Sequence, residues 1–319
     1  MDISTFFSAV GVLLPVLFVL GLGYWAGRAK RFDNNQVAGL NELVLDFAFP
    51  ALLFVGIVRA PRATLFAELP FVLALLIATL GLFVAVALVS IFVLRRGVGT
   101  AGLQALAVSC TNAGFAGIAV FTPLFGASSL LSIAIVALIY NVTVTPLTVV
   151  MLEFDGQRSA GSPTRSLGAV IGQSVLGSLS KPYVLSPILA TILVLVDVHI
   201  PKEIQSMLYL IGSATTGVSL FVAGIILAAF RIKLTPEIFG NVAVKMIVQP
   251  LLMVLLVGAL AVTKPLAGQA ILICSFGSAV VSPMLAVRYK VYQAEAASTL
   301  LLTTLAMVIV IPIAIMLTR

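Results

Sequence analysis

The sequence predicts an all-α integral membrane protein of ten transmembrane helices, arranged as two inverted five-helix repeats whose fourth and ninth members are broken and cross. Three observations carry this: an apolar composition, hydrophobic runs at membrane-spanning spacing, and paired segments recurring at a nearly constant offset. Of 319 residues, 61% are apolar and 9% charged, with a mean hydropathy of +1.22. A soluble domain has about a quarter of its residues charged, so this chain belongs in lipid.

A transmembrane helix takes about 20 apolar residues. Runs interrupted by charge, Gly and Pro predict spans at 7–27, 37–58, 69–94, 101–124, 128–151, 182–198, 205–229, 239–262, 266–288 and 292–317. Met1–Asp2 lacks the basic start of a cleavable signal, so the first run reads as a retained span. The second span carries Asn41, Glu42 and Asp46 ahead of Pro50, and the fifth carries Asn141 ahead of Pro146. The eighth carries Lys245 ahead of Gln249-Pro250. The longest polar stretch runs from Glu153 to Ser180, with Gly161, Ser162 and Pro163 inside it. It separates a first repeat (1–152) from a second (181–319), with 153–180 as a central linker.

A net charge of +7 would suggest nucleic acid in a soluble protein. Here topology explains it, because Lys and Arg concentrate in cytoplasmic loops. With the N-terminus outside, the inner loops hold twelve basic residues, among them Arg28, Lys30, Arg31, Arg95, Arg96, Arg288 and Lys290, against five outside. Both termini are then expected outside and the linker in the cytoplasm. Cys110 and Cys274 fall in apolar segments, which does not indicate a disulfide framework. His199 stands alone, so no metal cluster and no cofactor is implied. With no nucleophile–base arrangement and no GxxxxGK[ST] loop, an enzyme or ATP-driven pump is disfavoured.

Five is odd, so the two sets of five spans run in opposite senses. Leu14-Pro15-Val16-Leu17 resembles Ser186-Pro187-Ile188-Leu189 at an offset of 172, and Pro50–Val55 resembles Gly217–Val222 at 167. Pro146 matches Pro312 at 166, and Cys110 aligns with Cys274 at 164. Inverted repeats of this sort point to a secondary transporter.

The cysteine pair marks the segments of most interest. The fourth span reads Ser109-Cys110-Thr111-Asn112-Ala113-Gly114-Phe115-Ala116-Gly117, with Pro123 beyond; the ninth reads Cys274-Ser275-Phe276-Gly277-Ser278, then Ser282-Pro283. Gly tolerates unwinding, and Pro removes a backbone donor. Unwound backbone survives in a bilayer only beside protein or a water-filled cavity. Gly/Pro-interrupted spans at matching positions therefore mark a binding site. Each break offers free N–H groups and the positive end of a half-helix, which suit an anion. Candidate binding residues are Thr111, Asn112, Gly114, Gly117, Asn141, Ser278, Ser282 and Pro283. Close packing of small residues is the competing explanation. Asp46, Lys245 and Gln249 are candidates for coupling or charge relay, since intramembrane charge is costly. For these the alternatives are a structural carboxylate at Asp46 and a snorkelling lysine at Lys245.

At these same residues the sequence resembles the auxin efflux carrier family, and within it bacterial malonate carriers. The closest stretches are Gly21–Arg28, Phe32-Asp33-Asn34, Leu40-Asn41 and Leu45–Phe54, with Asn112…Gly117 and Lys245…Gln249-Pro250 further on. The resemblance implies a scaffold of spans one, two, six and seven. It also implies a mobile transport unit of spans three to five and eight to ten, with substrate at the four–nine crossing, elevator motion and a homodimer. Where the family pattern has a proline two residues after the glycine, this sequence has Ala119. Aligned on the cysteines, that position corresponds to Pro283. Alanine is the best helix former, so the fourth span is expected to be less unwound than in relatives.

The reading is a secondary carrier of small organic anions, malonate or a similar carboxylate, in a bacterial inner membrane. Coupling to protons is expected through Asp46 or the substrate's own carboxyl. Three alternatives stay open: a cation-coupled carrier of the bile-acid symporter or sodium/proton antiporter type, an uncoupled, potential-driven carrier of auxin-like monocarboxylates, and a non-transporting receptor or channel.

Overall fold

A computed structural model describes residues 3–59, 69–114, 116–126, 129–160, 180–230 and 232–318. Met1–Asp2 and most of the expected linker lie outside them. In chain order the helices are α1 (Ile3–Arg28), α2 (Asn35–Val58), α3 (Leu69–Val93), α4 (Val98–Ser109), α5 (Ala116–Phe125) and α6 (Ser129–Gly156). They continue as α7 (Pro182–Leu195), α8 (Lys202–Ala229), α9 (Pro236–Ala259), α10 (Leu266–Ser275), α11 (Val281–Tyr289) and α12 (Gln293–Thr318). No strand occurs among the described residues. Helices α2, α3, α6, α8, α9 and α12 are each long and apolar enough to cross a membrane, and α4, α5, α7 and α10 are shorter apolar helices. Large apolar side chains point outward, including Leu210, Phe92 and Leu255, each more than 70% exposed. Such a surface suits lipid, since soluble monomers rarely expose contiguous apolar patches. The chain is a multi-pass membrane protein.

Local chemistry sets the starts and bends. Asp33 and Gln36 form a reciprocal capping box at the entry to α2, with bonds of 2.8 and 2.9 Å. Three of the prolines inside long helices, Pro50, Pro146 and Pro250, each come two residues after the end of a π-helical turn. The turns are Leu43–Ala48 before Phe49-Pro50, Tyr140–Val144 before Thr145-Pro146, and Val244–Val248 before Gln249-Pro250. An extra residue in the turn relieves the clash of the proline ring with the preceding carbonyls and re-satisfies the freed backbone. Helix α3 has two such turns, at Ile77–Gly81 and Val89–Val93, without a proline.

Packing sorts the helices into neighbourhoods. Helix α1 lies along α8, and the second half of α2 lies along α7; α4 sits between α3 and α6; α10 and α11 pack against α12, and α10 also against α9. The α1–α8 contact brings backbones together. A Cβ at Gly23 would stand 2.0 Å from the Phe221 carbonyl oxygen, and one at Gly224 2.2 Å from that of Leu20. In lipid, where apolar surface gains little by pairing, this close approach holds helices together.

Helices α4 and α10 are the most enclosed. Nearly every residue from Gly99 to Ser109 and every one from Gly268 to Ser275 is buried. A polar chain fastens α4 to α9 and α12 near one end. Arg96 bonds Glu237 at 2.6 Å, Glu237 accepts from the Tyr292 hydroxyl at 2.8 Å, and Asn241 donates to that hydroxyl at 3.0 Å. Gln104 then donates to the Asn241 carbonyl at 2.9 Å.

Helix α6 continues beyond Glu153, where the sequence suggested the linker begins. Glu153 is drawn into the fold there, accepting from the Tyr289 hydroxyl at 2.7 Å. Gly224→Ala is expected to lower the thermal unfolding midpoint in detergent, by about 1–3 kcal/mol of overpacking against backbone that cannot yield. Gly21→Ala, where a Cβ meets nothing within 4 Å, is expected to leave it unchanged or raise it.

Candidate binding site where two broken helices cross

The fourth predicted span is interrupted between α4 and α5, and the ninth between α10 and α11. Cys110 and Phe276 leave their helices in extended conformation, at φ −85°, ψ 141° and φ −75°, ψ 152°. The two unwound strands meet antiparallel, with Thr111 opposite Ser278. Asn112 N donates to the Gly277 carbonyl at 2.8 Å, and Ala279 N to the Cys110 carbonyl at 3.2 Å. Each break thus supplies the partners that the other lacks in a dry interior. Neighbours take the remaining groups. Ser278 N donates to Thr303 Oγ1 at 2.9 Å, and the Tyr140 hydroxyl donates to Thr111 Oγ1 at 3.1 Å. A Cβ at Gly277 would fall 3.0 Å from the α12 backbone at Thr303 and Thr304, so glycine lets this segment lie close against α12.

Lys245 is wholly buried, and its ammonium donates to the Cys110 carbonyl at 2.9 Å and to Gln249 Oε1 at 2.6 Å. Gln249 Nε2 donates to the Ser109 carbonyl at 2.7 Å. Together they cap the C-terminal carbonyls of α4, the negative end of its dipole. The sequence offered snorkelling as one reading of this lysine; the structure instead turns it sideways onto the carbonyl at the crossing.

Beside the crossing lies a cavity of about 160 Å³, close to the roughly 150 Å³ that holds a six-carbon ring in other proteins. Thr111, Asn112, Gly114 and Asn141 line it, as the sequence suggested, together with Asn41, Tyr140, Tyr183 and Ser219. The start of α11, Ala279 to Val281, forms one wall, which brings that helix's positive pole to the space. The Asn112 amide oxygen is buried without a hydrogen-bond partner, as are the hydroxyls of Ser109, Ser278 and Ser282. Buried polar groups of this kind call for a solute or water. No charged side chain lines the cavity among the described residues; the Lys245 ammonium, bonded to Cys110, stands one residue behind Thr111.

The other candidates lie elsewhere. Gly117 packs inside α5, where a Cβ would meet that of Ala113 at 3.3 Å. Ser278 and Ser282 are buried behind the wall, and Pro283 borders a second crevice. Asp46 is exposed on α2 and does not line the cavity. Tyr140 and Tyr183 escaped the sequence reading, although Tyr140 adjoins Asn141 in an otherwise apolar run. Ala119 sits within α5, and the break lies upstream of it, at Cys110–Gly114. Cross-strand bonding and the Lys245 cap open the helix here without a proline at that position.

Residues 8–315 match the family model described as membrane transport protein. The chain is 32% identical to the uncharacterized transporter YfdV of Escherichia coli (strain K12) over 317 residues, covering 99% of this chain and 98% of that protein. A protein of the same description in Shigella flexneri matches equally. A putative malonate transporter of Rhizobium meliloti (strain 1021) is 24% identical over 301 residues, 92% of this chain and 91% of that one.

Gln249→Leu leaves the Ser109 carbonyl without its partner, and Lys245→Met removes both ammonium bonds. Each is expected to cost about 1–3 kcal/mol, read as a lower unfolding midpoint in detergent.

Proposed function

Because the chain belongs to the membrane transport protein family, that of the auxin efflux carriers, we propose that it is a secondary carrier of small organic anions, malonate or a similar carboxylate. One observation carries the reading: a cavity of solute size whose wall combines a helix N-terminus with neutral donors, and no acid. A helix dipole and neutral polar side chains favour a carboxylate without a formal counter-charge on the wall. Lys245, one residue behind, adds positive potential. The malonate assignment draws on the relative of that description and on the resemblance in sequence.

Alternating access by inverted repeats fits the register of the crossing. Under a two-fold axis, a residue on the axis pairs with its own counterpart. Thr111 pairs with Ser278, an offset of 167 (278 minus 111). The π turns Ile77–Gly81 and Val244–Val248 are also 167 apart (244 minus 77). This agrees with the echoes at 166 and 167 and replaces the cysteine offset of 164. Pro283 then answers to Ala116, and Ala119 to Ala286. The ten-span, two-repeat architecture, with both termini outside an inner membrane, is part of this proposal.

An elevator motion finds support in which helices share the cavity. Asn41, Phe49, Tyr183 and Ser219 come from α2, α7 and α8, of the expected scaffold. Thr111, Asn112, Asn141 and Ala279 come from the other group. Proton coupling through Asp46 or the substrate's own carboxyl belongs to this proposal, and a homodimer is the assembly proposed. A second reading, an auxin-like monocarboxylate with an apolar body, is favoured by the apolar part of the wall, formed by Leu45, Phe49, Val136 and Val222.

Reconstituted protein is expected to show saturable uptake and counterflow of labelled malonate, faster with an inward proton gradient if the coupling is to protons. No saturable uptake across a panel of mono- and dicarboxylates would overturn the proposal. Asn112→Ala is expected to raise KM about tenfold, ~1.4 kcal/mol, with an unchanged unfolding midpoint. An equal loss of stability would make the residue structural.

A further inference from the structure

A second and larger space, of about 820 Å³, opens at the end of the molecule where α1, α8 and α11 finish. Arg28 and Lys30 line it beside apolar residues such as Phe32, Ile225 and Val287, and no acidic residue does among the described ones. Its wall shares a single residue with the cavity at the crossing, Met284. That side chain belongs to the first turns of α11, whose start forms the cavity wall. Its thioether sulfur lies 3.8 Å from Asn41 Nδ2 on α2, so it spans the gap between the two groups of helices. A weak N–H···S contact is easily broken, and an unbranched methionine with three rotatable bonds swings without disturbing its helix.

We propose that the crevice is a vestibule that collects small carboxylates, and that the Met284 side chain is the gate between it and the crossing cavity. Two cations over low-dielectric walls raise the local concentration of anions. The helix pole beyond the gate draws them further. The inference rests on the carrier reading for what passes the gate, but the anion preference of the crevice can be measured by itself.

The test uses M284C in proteoliposomes, since both native cysteines are buried. A sulfonate-bearing methanethiosulfonate is expected to modify M284C about tenfold faster than a trimethylammonium analogue, relative to a free thiol. That preference is expected to vanish with R28Q and K30Q together. Modification should stop carboxylate uptake, and M284A should accelerate it. V287C, on the crevice wall alone, should show the same charge preference and serves if M284C fails to fold. Equal rates with both reagents, or modified M284C that transports normally, would overturn the proposal. So would a sulfonate preference that disappears when zwitterionic vesicles are replaced by anionic ones, since the crevice would then hold a lipid headgroup. Absence of uptake by the wild type with the charge preference intact would instead sink the carrier reading and leave the anion vestibule standing.

Discussion

Backbone polar groups cannot stay unpaired in hydrocarbon, and in this protein that constraint falls hardest on two helices that stop halfway. Each break exposes donors and acceptors that would cost several kcal/mol apiece if left in a dry interior. The breaks answer one another through the Asn112–Gly277 and Ala279–Cys110 bonds. They are then sealed by Lys245, Gln249, Thr303 and Tyr140. Much else follows from keeping those strands in contact. Helices α4 and α10 must be enclosed, α9 and α12 must lie near enough to lend side chains, and Gly277 lets α12 come that close.

The same constraint explains where charge sits. Lys245 is spent on holding a carbonyl and leaves the solute cavity to neutral groups and a helix pole. For the anion proposed above, a wall of that kind would allow binding without locking, because no direct ion pair has to be broken for release. The unpartnered amide of Asn112 and the nearby serine hydroxyls mark where polarity has been left in reserve. In a folded interior, that is where a ligand or water is expected.

Motion requires stiff parts as well as a site. The polar chain from Arg96 through Glu237, Tyr292 and Asn241 to Gln104 binds α4 to helices from the other half of the sequence. Satisfied networks in a low dielectric rigidify what they join. On the other side, α1 and α8 meet backbone to backbone at Gly23 and Gly224. The cavity lies between these two well-knit neighbourhoods.

Composition and hydrophobic spacing determined the membrane solvent and the all-helical class, because only helices or closed barrels satisfy their backbone there. Gly, Ser and Pro density likewise placed the interruptions in the fourth and ninth spans and singled out Thr111, Asn112 and Gly114, whereas Asn141 stood out as a polar residue ahead of Pro146 in the fifth. Tertiary structure decided the rest. Which way Lys245 points depends on a carbonyl 135 residues away in sequence, which no local pattern reports. The register of the crossing, Thr111 on Ser278, is set by cross-strand hydrogen bonds and not by the cysteines that look alike. Asp46 stood out because charge in a span is costly, yet α2 leaves it exposed and off the cavity wall. Tyr183 reaches the cavity only because α7 packs along α2, and Met284 touches two cavities only because α11 starts at one and ends at the other. Periodicity and composition are properties of a segment, whereas a wall, a gate or a cap belongs to segments that meet.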